Sequence, residues 1–446
     1  MRDAVKRLMK RLLRKPAKYR EASVSTPTIA PEQPTTLYNY QGVSDNDVVL
    51  SPLESLPFDI RHQILLSIGS IADLSSLVHA SPTFHQHYHL HREFWLVNSL
   101  ELELGLGIVD ACTVHLSNTS NFRQERTETS VRHFVSIYQS RRTDRLGANS
   151  MLDKSQILFV VTFHTTIVKP LAAQFVSWAH GNHHNLSSPT KLSGTENRRI
   201  LRAFYRFQLF CNLFGYYSEN RRSMFSDEER LEWFLDIYEP WEIEEILSVN
   251  TFVESKYQKV LEEVAWDLHE DNPRWDAGRT DPFTPTGAYH IDGFGDFYRV
   301  GMTSLGLSLL SSVFKAQDHA VLLDLVEQNI VSSYGDWFDR ATDELRQDHR
   351  REHLYSDRDR AQERREKMPF KGDREDMPPL AWVALWKGTY SNLYGSHMPP
   401  NILEWGYVMW DYGRLSRSGA IATLDAEWKA SYTRANGDPE DPRDWI

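Results

Sequence analysis

The sequence predicts a mainly α-helical protein: a module of three short helices near the N-terminus, followed by a larger, irregular α-helical domain. Three observations predict this class. Apolar residues recur at helical spacing through most of the chain beyond residue 53. Few stretches alternate at period two, as a half-buried strand requires. No period of about 20–50 residues repeats, which argues against leucine-rich, propeller and ankyrin arrays. The 446 residues are 41% hydrophobic and 12% aromatic, enough for a sizeable core.

Residues 1–20 form a basic amphipathic segment. Nine Lys/Arg stand against one acid, so the segment carries +8 and the remainder −11 − 8 = −19. Ala4, Val5, Leu8, Met9, Leu12 and Leu13 share one face. A nuclear import signal, a membrane-surface helix and an organelle presequence all fit this pattern, as does a cationic tail with no receptor. Residues 21–49, with STPTIAPEQPTT, read as a flexible linker. The acidic remainder disfavours nucleic-acid binding, because it repels phosphate. No apolar run approaches about 18 residues, so no membrane span is expected. Cys112 and Cys211 are too few for a disulfide framework, which fits the cytoplasm or the nucleus.

The most informative stretch is 53–95, LESLPFDIRHQILLSIGSIADLSSLVHASPTFHQHYHLHREFW, within a module bounded at 50–97. Pro57 suits a first helical turn, and Ile60, Ile64, Leu65 and Ile68 follow as a stripe. Gly69-Ser70 breaks that helix. Asp73 is placed to cap a second helix carrying Leu74, Leu77 and Val78. Ser81-Pro82 starts a third, with Phe84, Tyr88, His91 and Trp95 on one face. So small a unit cannot bury both its sides, and one face must dock on the rest of the chain or on a partner.

This ordered set resembles an F-box. The matching residues are Leu56-Pro57, the Ile60/Ile64/Leu65 stripe, Asp73-Leu74 with Leu77, Ala80-Ser81 with Phe84, and Phe94-Trp95. Phe58 and the histidine-rich third helix are this chain's own departures from the pattern. The resemblance implies that the segment binds a Skp-type adaptor and, through it, the cullin scaffold of an SCF ubiquitin ligase. The implied adaptor-binding residues are Leu53, Leu56, Pro57, Ile60, Ile64, Leu65, Leu74 and Leu77. A separate region would hold a protein substrate. RILRAFYRFQLFCNLF and WGYVMWDYGRL are also similar to stretches of filamentous-fungal F-box-like proteins.

Residues 98–339 are expected to form the helical substrate or interaction domain. Within them 196–217 should be deeply buried, Ser226 and Glu229 form a capping box, and 272–298 read as an irregular segment followed by renewed helix. Residues 340–377 are rich in mixed charge and read as an exposed insertion. Residues 378–446, with Trp382, Trp386, Trp405, Tyr407, Trp410 and Tyr412, should fold back on the helical body, leaving Arg414 and Arg417 exposed.

Catalytic patterns are sparse. His349, Glu352 and His353 fit the H-x-x-E-H zinc-peptidase spacing, but their flanks are charged and supply no apolar back to fix a metal site. The alternating His85, His87, His89 and His91 would share a face on a strand, not on a helix, where His87 and His91 stack one turn apart. Glu244/Glu245 and Glu262/Glu263 read as solvated faces. Asp292-Gly-Phe-Gly295-Asp296 lacks the strand–turn–helix context of a phosphate loop. The expectation is a non-catalytic protein without cofactor or metal. Its alternatives are an interaction scaffold outside ubiquitin transfer and, more distantly, a zinc hydrolase.

Overall fold

The computed structural model describes residues 51–119, 126–182, 191–216, 225–279, 284–333, 372–387, 397–433 and 441–444, with single positions 122, 338, 342, 352, 360, 364 and 395. The segments 1–20 and 21–49, and His349 and His353, lie outside them. The described residues are helical, without a strand.

The module begins with α1 (Phe58–Leu66), α2 (Ile71–Ala80) and α3 (Pro82–Leu90). The cap of α2 is Ser70, whose Oγ accepts from Asp73 N at 3.1 Å; Asp73, expected as the cap, stands inside the first turn. Ser81 caps α3 as expected, accepting from Phe84 N at 3.3 Å. Trp95 belongs not to α3 but to α4 (Arg92–Leu104), which runs through the expected boundary at 97 and packs against the body. Residues Pro52–Ile446 accordingly form one compact unit.

After α4 come α5 (Ile108–Ser117), α6 (Glu128–Asp144), α7 (Lys154–Phe163) and α8 (Lys169–Gly181). A π turn at His164–Val168 joins the last two. Pro170 just after it has no N–H to give the Thr166 carbonyl, and Lys315 Nζ donates to that oxygen at 3.4 Å. The joined helix, Lys154–Gly181, is long and apolar enough to cross a membrane by length and composition. The expectation that no such stretch exists is corrected to that extent. It packs against α4, α5 and the helices that follow.

The centre of the body is α9 (Gly194–Phe214) crossed by α11 (Pro240–Leu268), with α10 (Asp227–Trp233) between them in sequence. Burial of α9 on almost every face follows the expectation, and so does the Ser226–Glu229 box that opens α10. The surprise is charge. Arg199, Arg202 and Arg206 are buried along α9, and Glu242, Glu244 and Glu245 along α11. Arg202 makes a bidentate pair with Glu245 at 2.7 and 2.5 Å, and Arg206 reaches Asp110 at 3.1 Å and Glu242 at 2.8 Å. Glu244 and Glu245 are therefore core groups, not a solvated face.

Beyond α11, α12 (Ile291–Thr303), α13 (Leu307–Lys315) and α14 (His319–Asn329) cover one side of the body. Residues 291–298 form the start of α12, which kinks at the non-helical Phe294 between Gly293 and Gly295, so the irregular segment is shorter than expected. The last elements are α15 (Leu380–Leu385), α16 (Pro400–Glu404), α17 (Tyr412–Arg417) and α18 (Ala420–Ser431). The late aromatic block folds back as expected: Trp382 and Trp386 each donate to Glu244 Oε1 at 3.1 Å, and the Tyr407 hydroxyl donates to its other oxygen. Arg414 is not free, because it pairs with Glu196 at 2.6 Å. The far end of the expected exposed insertion is also docked. Glu375 accepts from Leu106 N at 2.5 Å and pairs with Arg198 at 3.3 Å.

Candidate functional site

The module is built around α1, which has two apolar faces. Phe58, His62 and Leu65 recur at one-turn intervals and turn toward α3 and α4, with His62 half-buried and Phe58 still 50% exposed. Leu65 is fully buried, and Phe58 stacks on His87 with ring centroids 4.2 Å apart and planes 10° apart. His62 meets Trp95 edge-on at 4.8 Å, and Trp95 is itself fully buried. Phe58 and the histidine-rich α3 thus pack on each other, with His87 as the stacking partner of Phe58.

The opposite face of α1 carries Pro57, Ile60 and Ile64 at i, i+3 and i+7. Ile60 is 48% exposed, Pro57 is exposed and Ile64 is half-buried. Just upstream, Leu53 is 41% exposed and Leu56 half-buried. That entry segment is tied to the module rather than loose. Ser81 Oγ donates to Glu54 Oε1 at 2.5 Å, and Arg61 Nη1 donates to the Glu54 carbonyl at 3.4 Å.

Of the residues implied to bind an adaptor, Leu53, Leu56, Pro57, Ile60 and Ile64 are wholly or partly accessible. Leu77 is half-buried. Leu65 and Leu74 are 0% and 2% exposed. Those two are corrected to core residues: the stripe of α1 splits between its two faces, and Leu74 lies on the buried side of α2. Sequence reasoning did not single out Leu90 (67% exposed) or Phe94 (46%) as surface groups. The signal for Leu90 was available, since it ends a helix whose other apolar residues, Phe84 and Tyr88, lie on a different face.

The module is joined to the body through Glu103, near the end of α4. Its carboxylate accepts from Lys169 Nζ at 2.6 Å and from the Ile71 N–H at 3.4 Å, and lies 3.4 Å from His164 Nε2. Burial works to raise the Glu103 pKa, but the His164 and Lys169 side chains outweigh it and hold it down at about 2. Burial lowers the His164 pKa, against the pull of Glu103. The Tyr205 hydroxyl lies 2.9 Å from His164 Nδ1. The N-terminal end of α2 and the π turn thus share one carboxylate.

A cavity of about 520 Å³ opens in the body between α6, α9 and α11. Arg142, Arg202, Arg206, Trp241, Glu242 and Glu375 line it. Its charges are matched internally: Arg142 donates to both oxygens of Glu242 at 3.2 Å. Burial favours protonating Glu242, but Arg206, Arg142 and Arg202 outweigh it and hold the carboxyl below the usual range. Among the described residues no three ligating side chains converge as a metal site. Glu352, the described member of the H-x-x-E-H pattern, is exposed. Both cysteines are buried and free.

The chain matches no protein-family model, no curated protein and no solved structure.

Proposed function

We propose that this chain is the non-catalytic substrate-receptor subunit of an SCF-type ubiquitin ligase. The module at 53–95 takes up a Skp-type adaptor, and with it a cullin scaffold, while the helical body holds a protein substrate. The observation that supports this best is the apolar stripe in which Leu53, Pro57 and Ile60 are exposed and Leu56 and Ile64 half-buried, on the side of the module away from its core. Burying a large apolar side chain on a partner contributes about 1.5–3 kcal/mol. A few such anchors dominate a typical interface.

The test is affinity for purified Skp-type adaptor. Ile60→Asp, and separately Leu56→Ala with Pro57→Ala, should weaken binding about a hundredfold, since each 1.4 kcal/mol is tenfold. Circular dichroism should remain that of the native chain, because neither site is in the core. Unchanged affinity with intact helicity would sink the reading. The scaffold alternative separates by copurification: adaptor without cullin places the module's role outside ubiquitin transfer.

A further inference from the structure

The corner between α2 and α3 carries three exposed imidazoles, His79, His85 and His89. His85 and His89 stand one turn apart on α3, with ring centroids 4.3 Å apart and planes at 72°. Their Nε2 atoms are 3.1 Å from each other. Two nitrogen ligands of one ion, each about 2.0–2.1 Å from it, stand roughly 3 Å apart. The pair therefore already holds the spacing of a chelate, and the helix fixes it without rearrangement of the backbone.

We infer that His85 and His89 form a two-imidazole binding site for a divalent ion of the Zn²⁺, Ni²⁺ or Cu²⁺ class. Imidazole donors select these ions over Mg²⁺ and Ca²⁺, which take oxygen. Binding needs both rings neutral with Nε2 unprotonated. In the free pair one Nε2–H donates to the other Nε2; on binding, that proton moves to Nδ1 of the same ring, so two neutral rings release none. His79 is the nearest further imidazole, its ring 6.4 Å from that of His85. Its Nδ1 lies 2.7 Å from the Ser75 carbonyl oxygen, which fixes the proton there and leaves Nε2 with a free lone pair. Two protein ligands leave the ion open to water or to a donor from a partner. This inference does not depend on the ligase reading.

The experiment is calorimetric titration of the full chain with Zn²⁺ in a non-chelating buffer. The native chain should bind one equivalent in its tightest class of site. His85→Ala and His89→Ala should each weaken that class at least about tenfold, while His91→Ala, at an exposed position off the helix, leaves it unchanged. The positions are on the surface, so circular dichroism should be the same in all variants. With Cu²⁺ as probe, the electron paramagnetic resonance spectrum should show coupling to two nitrogens that either alanine variant loses. Wild-type stoichiometry and affinity in the double variant, or no zinc uptake by the native chain at submillimolar ion, would overturn the inference.

Discussion

His87 lies between Phe58 and Trp95, 3% exposed, with neither ring nitrogen in a hydrogen bond among the described residues. Burial lowers its pKa, and the nearby His62, Arg61 and His91 lower it further. Stacking on Phe58 would favour a cation by about 0.5–1 kcal/mol, too little to offset desolvation among other positive groups. The native state thus binds fewer protons here than the unfolded chain. The stability this contributes is complete above the unfolded value of 6.5 and is lost as pH falls through and below it. The melting midpoint should therefore drop between neutral and mildly acidic pH, and His87→Leu should remove part of that drop. Only part is expected, because the buried His164 is shifted in the same direction. A variant that retains the whole pH slope would show that the stack with Phe58 tolerates the charged ring.

Individual helices show where local rules yield to packing. Gly301 sits within α12, where alanine has the better propensity by about 0.8–1.0 kcal/mol. A Cβ there would stand 1.9 Å from the Val331 carbonyl oxygen, which is backbone and cannot swing aside. Overpacking of this kind costs typically about 1–3 kcal/mol, so Gly301→Ala should lower the melting midpoint despite its propensity. A raised midpoint would mean that the segment after α14 yields freely. The same contest explains which elements were legible in the sequence. The Ser81 and Ser226 starts and the apolar wrap of α9 are local signals, and they were readable. The first turn of α12 was not. Its glycines argue for a loop, and it forms because Tyr289 N donates to the Leu268 carbonyl at 2.8 Å and α12 then lies along α11. The split of α1 into an inner and an outer face was only half readable, because Phe58 shows its side only once His87 is beside it.

Across the whole molecule, the least legible property is the charge buried between α9 and α11. Nothing local reveals that the α9 arginines, one turn apart, are met by Glu242 and Glu245 from α11 and by Asp110 from α5. Removing one member of such a pair leaves an uncompensated buried charge and costs about 3–5 kcal/mol. Arg202→Leu and Glu245→Leu should each be destabilising on that scale. The double variant should be less destabilised than the sum, by a coupling measurable in denaturant melts. Additive losses would show that water reaches the pair. The candidate site was legible in outline for a complementary reason: a surface that must stay apolar and uncovered leaves its stripe in the sequence, whereas pairing across the fold leaves none.

The continuity of α4 has a mechanical consequence. A helix that starts under the Phe58–His87 stack and ends at Glu103 against the π turn leaves no joint between the face that would receive a partner and the walls of the body cavity. Whatever is held at one end is aimed at a set bearing relative to the other, as by a bracket rather than a tether. On the proposed adaptor reading, reach would then come from the partner's own length and flexibility.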